Sequence, residues 1–370
     1  MKEVIIAGGG LAGLITGIQL SRAGISCTLI EKKVYPFHRV CGEYISNETV
    51  PFLKSIGIYP EEFSPSVLSR FQLSSVNGKY ADLQLDLGGF GISRYYFDHF
   101  LFEKAKVSGV NFLLDTEVDA IHFEGEKFRV QITKQVLEAD IVVGCFGKRS
   151  KIDISLNRGF IKKRSPYIGV KYHIYTDHPS DLIALHNFKD GYCGISNIEE
   201  GKTNLCYLSH RNNLKKYGNI PDMEKAVLFK NPFLKSIFAN SKFIFEKPET
   251  INEISFETKG PVENHILMAG DAAGMITPLC GNGMAMAIHS SKLLSEHVIH
   301  YCTSPSYSRA QLEIDYITSW RRVFEKRLWV GRQIQRLFGS ERASDFAVNL
   351  ALHFKLVADF LIKKTHGAPF

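Results

Sequence analysis

The sequence predicts an α/β fold that combines a parallel sheet, an inserted antiparallel sheet and a helical C-terminal region. Three observations support this prediction. The chain begins with a strand–turn–helix–strand pattern, a second strand–turn–helix pattern lies at residues 265–290, and the segments between them alternate apolar and polar residues. Alternation is typical of strands with one buried face, whereas short continuous apolar runs are typical of parallel strands covered on both faces.

The first pattern has the form of a Rossmann-like dinucleotide-binding unit. Residues 3–7 are a short β-branched run, residues 8–13 read GGGLAG and match GxGxxG, and an apolar-periodic helix leads to a second strand at residues 26–30. A glycine-rich turn alone is weak evidence. Here the strand, the helix and the second strand are all in place, which favours dinucleotide binding over a coincidental turn.

Each position of the turn has a predicted physical role. Gly8 permits the tight turn, Gly10 lets the backbone approach a pyrophosphate, and Gly13 lets the helix pack closely on the strand. Leu11 and Ala12 begin the helix, whose free N–H groups and dipole face the phosphates.

The end of the second strand carries Glu31, followed by Lys32, and both are predicted to contact the cofactor. A carboxylate at this position accepts hydrogen bonds from both hydroxyls of an adenosine ribose and disfavours the 2′-phosphate of NADP. NAD-linked dehydrogenases and FAD proteins share this opening, so the choice of dinucleotide depends on the rest of the chain.

The second pattern decides that choice. It is a strand, a Gly-Asp turn, a loop and a helix, and its predicted cofactor-binding residues are Gly270, Asp271, Pro278, Gly281, Asn282, Gly283 and Met284. The Asp271 carboxylate is placed to accept a hydrogen bond from a ribityl hydroxyl. The loop and the helix N-terminus are placed at the edge of a flavin that becomes negatively charged on reduction, and the positive end of a helix stabilises that charge. This pattern indicates FAD.

The two patterns together resemble the para-hydroxybenzoate hydroxylase-like FAD superfamily. Residues 94–101, RYYFDHFL, resemble that family's R-x-x-F-D-x-x-L helix start, and residues 139–144, ADIVVG, resemble the strand before its second flavin-contacting turn. The resemblance covers about the first 300 residues. It implies a Rossmann-like FAD-binding domain of this type, with cofactor contacts from Arg94, Val118 and Gly147.

Residues 37–43, FHRVCGE, resemble the Cys-Gly-Glu/Asp loop of the geranylgeranyl reductase-like flavoproteins, which reduce polyprenyl double bonds. The resemblance implies that Arg39, Cys41 and Gly42 lie at the FAD. Cys41 is then the candidate proton donor, because saturating an alkene needs a proton besides the electron pair. Glu43 either orients that thiol or contacts the substrate. The alternatives are a small buried filler for Cys41 and a solvated loop charge for Glu43.

Two further segments bear on the reaction. Tyr192, in a segment similar to the reductases' substrate-sheet motif, either lines the cavity opposite the flavin as a catalytic candidate or is an ordinary strand residue. In the second turn, Phe146 replaces the family's acid and Ile152 its arginine. That turn is implicated in NAD(P)H use, so the electron donor is either NADPH or another carrier, including a partner protein.

The resemblance also implies a discontinuous cofactor domain. Residues 1–69, 94–157 and 258–300 are predicted to form the FAD-binding domain, residues 70–93 and 158–257 a substrate-binding β-sheet domain, and residues 301–370 a C-terminal helical region.

The composition limits the classes of partner and the location that the chain can have. The 370 residues are 45% hydrophobic and 22% charged, with a net charge of +7 that is too mild and dispersed to indicate nucleic acid. We see no secretory signal and no bilayer-spanning run. Seven scattered cysteines with no CxxC pair fit a reducing cytoplasm and indicate neither disulfides nor a metal site. The predicted location is cytoplasmic, with peripheral membrane contact as the alternative.

Three functions follow. The favoured one is a geranylgeranyl reductase-like FAD oxidoreductase acting on a small or lipid-like apolar substrate. The first alternative is a flavin-dependent monooxygenase that hydroxylates an aromatic or polyketide-like substrate, since the same scaffold serves both reactions. The second is a partner-dependent electron-transfer flavoprotein.

Overall fold

A computed structural model describes residues 2–133, 135–163, 165–252, 254–277, 281–335, 340–354, 357, 363 and 366–370. The strands of this part of the chain are β1 (Val4–Ala7), β2 (Cys27–Ile30), β3 (Tyr44–Ser46), β4 (Ser66–Ser74), β5 (Tyr80–Gly91), β6 (Asn111–Leu113), β7 (Val118–Glu124), β8 (Lys127–Ile132), β9 (Gln135–Ala139), β10 (Ile141–Gly144), β11 (Tyr167–Tyr175), β12 (Leu182–Phe188), β13 (Gly191–Asn197), β14 (Thr203–His210), β15 (Lys242–Phe243), β16 (Glu249–Asn252), β17 (Val262–Glu263) and β18 (Ile266–Met268). The helices are α1 (Leu11–Arg22), α2 (Val50–Ser55), α3 (Arg94–Val107), α4 (Lys151–Ser155), α5 (Arg211–Tyr217), α6 (Ile220–Val227), α7 (Pro232–Asn240), α8 (Gly283–Thr303), α9 (Arg309–Gln335) and α10 (Glu341–His353).

The first sheet has six strands in the order β17-β18-β10-β1-β2-β6. Its inner strands β2, β1, β10 and β18 run parallel, with Ile5 opposite Thr28 on one side and Val142 on the other. All four residues of β1 and of β10 are buried, as expected for parallel strands covered on both faces. The carboxyl ends of these strands therefore meet at one edge, where the turns after β1 and β10 lie side by side.

The second sheet has nine strands, with the path β15-β11-β14-β13-β12-β4-β5-β3 and β16 paired to β11. Its central pairs β11–β14, β14–β13 and β13–β12 are antiparallel. A small third sheet, β7-β8-β9, lies beside the first. The predicted fold class is confirmed. The predicted domain limits stay a prediction, although the limit between residues 69 and 70 lies inside β4, and β3 joins the second sheet through β5.

The two C-terminal helices contact different sheets. Helix α9 buries Leu312, Tyr316, Trp320 and Phe324 at helical spacing, and the Tyr316 hydroxyl donates to the Met268 carbonyl at 2.6 Å. Helix α10 packs against β5 and β4 of the second sheet and so joins the two halves of the molecule. Within the described residues, none of the helices is both long and apolar enough to cross a membrane.

A buried acid on a helix that packs against the second sheet makes stability depend on pH. Glu224 of α6 is 6% exposed and accepts hydrogen bonds from the hydroxyls of Tyr172 (3.1 Å) and Tyr207 (2.8 Å). Burial raises its pKa to about 7, and the two hydroxyls offset only part of that effect.

We therefore expect the free energy of unfolding to fall as the pH rises from 4.5 through 7, because the folded state holds the Glu224 proton more tightly than the unfolded state. The loss is about 3 kcal/mol for this one group. Replacing Glu224 with glutamine should remove that dependence, as measured by urea unfolding at pH 5 and pH 8. An equal dependence in both proteins would contradict the assignment.

Candidate active site

A cavity of about 780 Å³ lies between the carboxyl edge of the first sheet and one face of the second. Of the predicted site residues in the described part of the chain, all line this cavity except Gly13 and Asn282. Asn282 is fully buried at the start of α8. Pro278 lies outside the described residues. The structure thus brings together two sequence patterns that are about 260 residues apart.

The first glycine-rich turn leaves no space for side chains at two positions and open space at a third. Gly8 has φ 110°, and a Cβ there would lie 2.3 Å from the Cys145 carbonyl oxygen. A Cβ on Gly13 would lie 2.0 Å from the Gly8 carbonyl oxygen, so glycine is required where α1 crosses β1. A Cβ on Gly10 would have Nη2 of Arg94 as its nearest neighbour outside the adjoining backbone, at a distance of 3.7 Å. The space before Gly10 is therefore free for an approaching phosphate.

This contrast gives a paired prediction. Gly13→Ala is expected to destabilise the apoprotein by about 3 kcal/mol through overpacking. Gly10→Ala should cost less than about 1 kcal/mol, as an N-cap change, yet raise the FAD dissociation constant at least about tenfold. Thermal unfolding of both apoproteins and FAD titration of the second test this. A Gly10→Ala protein with unchanged FAD affinity would contradict the placement of the phosphates.

A chain of charged groups joins the second strand to α3. The Glu31 carboxylate accepts from the backbone N–H of Gly9 at 2.8 Å and from Arg39 at 3.3 Å. Asp98 accepts from Arg39 at 3.0 Å and from Arg94 at 2.5 and 2.6 Å. One buried carboxylate therefore holds both arginines at the cavity wall, where they can pair with a diphosphate.

The turn at Gly270 and Asp271 places the Asp271 side chain at the cavity. Burial raises the pKa of the Asp271 carboxyl, while the nearest cation, Lys259, lowers it. Lys259 donates to the backbone carbonyls of Lys148 (2.7 Å) and Asp271 (2.9 Å). It therefore fixes the turn after β10 against the turn after β18. A hydroxyl-bearing ligand would supply the hydrogen bond that this carboxylate can accept.

The Cys41-Gly42-Glu43 loop is anchored by its acid. Glu43 is fully buried, with a left-handed φ of 54°, so it is not a solvated loop charge. Its carboxylate accepts from Lys171 Nζ at 2.5 Å, from His173 Nε2 at 2.7 Å and from the Arg94 backbone N–H at 2.8 Å. Burial alone would raise its pKa, but the attraction of Lys171 and the bond to His173 lower it to about 2.

These contacts decide what Glu43 can do. An ionised carboxylate with three donors holds the loop on β11. The contact with Cys41 comes instead from the Glu43 backbone N–H, 3.5 Å from the sulfur. Lys171 also donates to the Arg39 carbonyl at 3.1 Å, so one lysine fixes both ends of the loop.

Among the described residues, three thiols, Cys41, Cys145 and Cys206, line the cavity. Burial raises the pKa of all three, that of Cys206 to about 12, and the nearby Arg94 only partly offsets this for Cys41. All three are therefore protonated at neutral pH, so each can give a proton but none is a thiolate nucleophile. Tyr192 lines the same cavity from β13 and is 4% exposed.

Beyond these groups the cavity is an apolar chamber. Phe71, Leu73, Leu83 and Leu185 line it from the second sheet, and Ala347 and Leu350 line it from α10. The chamber is continuous with the part of the cavity that the glycine-rich turns form. A long apolar ligand can therefore lie with one end at the Cys41 loop and the rest in the chamber.

Sequence reasoning missed Lys171, His173 and Cys206. A signal for the first two was present, because Lys171 and His173 stand two residues apart in the otherwise apolar run of β11 and so project from the same face. Cys206 carried no comparable signal, since its place at the cavity follows only from the pairing of β14 with β11 and β13.

The model of the FAD binding domain family matches residues 1–304. The chain belongs to the FAD binding domain family. It is similar to digeranylgeranylglycerophospholipid reductase of Methanosarcina acetivorans, with 25% identity over 343 residues that cover 86% of this chain and 80% of the relative. A second reductase of that name, from Methanococcus vannielii, is 22% identical and covers 86% of this chain and 82% of the relative.

Solved structures share the fold. A geranylgeranyl bacteriochlorophyll reductase-like protein of Thermoplasma acidophilum has a TM-score of 0.79 at 18% identity, covering 98% of this chain and 95% of that one. A flavin-dependent brominase has a TM-score of 0.80 at 17% identity, covering 100% and 94%. These likenesses show the architecture of the family.

The cofactor is FAD, and the protein is an FAD-dependent oxidoreductase that resembles the geranylgeranyl reductase-like flavoproteins. The described residues fit this cofactor. The space before Gly10 would admit the diphosphate, and the carboxylates of Glu31 and Asp271 would accept hydrogen bonds from the ribose and the ribityl chain respectively. The N-terminus of α8, at Gly283, also lines the cavity.

Proposed function

We propose that this protein reduces a carbon–carbon double bond in an isoprenoid or similarly long apolar chain. The observation that carries the proposal is the apolar chamber continuous with the flavin-binding cavity. A wall made of leucine, isoleucine, phenylalanine and alanine side chains stabilises a hydrocarbon chain and excludes water. The named relatives, reductases of a geranylgeranyl-bearing phospholipid, are consistent with this substrate class.

We further propose that Cys41 gives the proton. When bound, FAD supplies the electron pair and one hydrogen; the protein must supply the other hydrogen as a proton. Cys41 lines the cavity as a protonated thiol, because burial raises its pKa. Glu43 does not compete for this role, because Lys171 and His173 keep it ionised.

Lys171 and Glu43 are proposed as positioning residues. Their ion pair is fully buried, and together with His173 it attaches the Cys41 loop to β11. The loop therefore has one defined place relative to the cofactor, so the thiol can face the double bond without rearrangement. Arg39 and Arg94, held by Asp98, are proposed to bind the diphosphate beside it.

The proposal is tested by anaerobic reoxidation. Purified holoprotein is reduced with dithionite, any excess is removed, and the flavin absorbance is followed after a geranylgeranyl lipid is added. Reoxidation without oxygen supports the reductase. If the flavin stays reduced with the lipid, yet air and a phenol give a hydroxylated product, the monooxygenase alternative replaces it. A parallel titration with NADPH decides whether a nicotinamide or another carrier delivers electrons.

The chamber itself is tested by filling it. Ala347→Trp, on α10, adds a large side chain to the wall of the chamber. We expect turnover of a geranylgeranyl chain to fall at least about tenfold while that of a geranyl chain falls less, because only the longer chain needs the filled space. Equal losses for both chains would contradict the placement of the substrate. Unchanged flavin absorbance in the variant is the control for cofactor binding.

A further inference from the structure

A second, smaller cavity of about 110 Å³ lies behind the loop that carries Cys41. His38 lines both this cavity and the flavin cavity, so this residue stands in the wall between them. His173 lines the small cavity and Glu43 lines the large one, and their side chains meet at 2.7 Å across the same wall. The partition between the two cavities therefore consists of titratable groups rather than apolar packing.

The small cavity contains buried polar atoms without protein partners. Among the described residues, Nδ1 of His38 and Oε1 of Glu199 are buried and make no hydrogen bond. Glu199 is 2% exposed, and its other carboxylate oxygen accepts from the Ser93 backbone N–H at 2.7 Å. Buried polar atoms are normally satisfied by protein or by ordered water. A cavity of this size has room for several waters, since one needs only about 10–15 Å³.

Aromatic rings hold the His38 imidazole in place. It stacks on Tyr95 with ring centroids 4.6 Å apart, and it meets the edges of Phe245 at 4.7 Å and His173 at 5.4 Å. Burial, together with the nearby Lys171 and His173, lowers the pKa of His38 to about 4, so the ring is neutral at pH 7. A neutral imidazole has one nitrogen that donates and one that accepts, and it can take a proton at one while releasing a proton from the other.

We propose that the small cavity is a water-filled proton inlet and that His38 passes protons from it to the Cys41 thiol. The inference rests on the proposed reductase function, because a reductase whose chamber is filled by a hydrocarbon chain has no water on the substrate side from which to recover a proton. His38 lies three residues before Cys41 on the same loop, at the one point where the described residues border both cavities with a free imidazole nitrogen.

Both hydrogens that the alkene gains, and the proton that restores Cys41, have a source in this scheme. The Sγ–H bond of Cys41 breaks as its proton goes to one alkene carbon, and the electron pair stays on sulfur. The other carbon receives its hydrogen, with the electron pair, from the reduced cofactor. The thiolate then takes a proton from one nitrogen of His38, and the other nitrogen takes one from water in the small cavity. Each turnover thus draws one proton from solvent, restores the Cys41 thiol and leaves His38 neutral in its other tautomer, and a turn of the imidazole ring then restores the starting tautomer.

The test has a readout that does not depend on turnover. FAD-loaded protein with n-hexadecane in the chamber is transferred to D2O, and the S–H Raman band of Cys41, isolated by subtracting a Cys41→Ser spectrum, is followed as S–D replaces it. His38→Phe keeps the aromatic stack and removes both nitrogens. Ile244→Trp fills the small cavity and keeps His38. His99→Phe is the matched control, because His99 also has a buried, unpaired Nδ1 but lines neither cavity.

We expect exchange to slow at least about tenfold in His38→Phe and Ile244→Trp, with no change in His99→Phe. We also expect added imidazole to restore exchange and double-bond reduction in His38→Phe but not in Ile244→Trp, which a purely structural role would not produce. Wild-type exchange rates in both variants would overturn the inlet. If wild-type protein reduces no polyprenyl chain at all, the proposed function fails, while the exchange rates still decide whether the inlet exists.

Discussion

Replacing Cys41 with alanine is expected to lower the rate of double-bond reduction by about 10²- to 10⁴-fold, the usual contribution of a positioned general acid. FAD binding should persist, because the contacts that hold the loop come from Glu43, Lys171 and the Arg39 carbonyl rather than from the thiol. The measurement is single-turnover reoxidation of reduced holoprotein by a geranylgeranyl lipid, with flavin absorbance reporting cofactor content.

Cys206→Ala is the matched control for that variant. Cys206 lines the same cavity, and burial raises its pKa in the same direction, to about 12. If Cys41 is the acid, Cys206→Ala should keep most of the activity and Cys41→Ala should lose it. The reverse order would transfer the role to Cys206, and full activity in both variants would exclude both of these thiols as the acid.

Replacing Lys171 with methionine is expected to destabilise the protein by about 3–5 kcal/mol, because it leaves the buried Glu43 carboxylate with an incomplete set of partners. Both side chains of this pair are fully buried, so solvent does not screen the loss. Urea unfolding measures the free energy, and FAD retained after gel filtration reports whether the Cys41 loop keeps its place. The double variant Lys171→Met, Glu43→Gln should recover part of the loss because no unpaired charge remains.

The stability that Lys171→Met loses should also depend on pH. In the wild type the pKa of Glu43 is about 2, below its unfolded value of 4.5, so its stabilising contribution is present above pH 4.5 and is lost as the pH falls towards 2. Without Lys171 the effect of burial dominates, and the pKa of Glu43 rises. The loss of stability in the variant should therefore be largest near pH 7, and its stability should approach that of the wild type in acid. Lys54→Met, in an ion pair that is 55% and 68% exposed, is the control and should change little. A similar cost for both lysines would contradict the account.

The fold and the cofactor site were predictable because their signals are local. Gly13 is required by a steric contact with Gly8 within one strand–turn–helix unit, and the spacing of Gly8, Gly10 and Gly13 together with the flanking strands and helix identifies that unit. The same holds for the turn at Gly270, which has φ 61°. These features depend on neighbours in the chain, and a sequence displays them directly.

The environment of Glu43 was not predictable in this way. Lys171 and His173 lie about 130 residues further along the chain, and they reach Glu43 only because β11 is placed against the loop by the packing of the second sheet. The limit predicted after residue 69 stays a prediction, and it falls within β4 (residues 66–74), which pairs with β5 of the second sheet from its first residue to its last. Long-range strand pairing leaves no local mark in a sequence.

The central claim is that the chamber presents a double bond to the flavin and the Cys41 thiol, and product analysis tests it most directly. Reduced holoprotein is incubated anaerobically in D2O with a geranylgeranyl lipid, and the lipid is analysed by mass spectrometry. The account predicts that each reduced double bond gains two hydrogens and that at least one of them comes from solvent, with the gain lost in Cys41→Ala. Recovery of unchanged lipid from fully reduced, FAD-replete wild-type protein would contradict it.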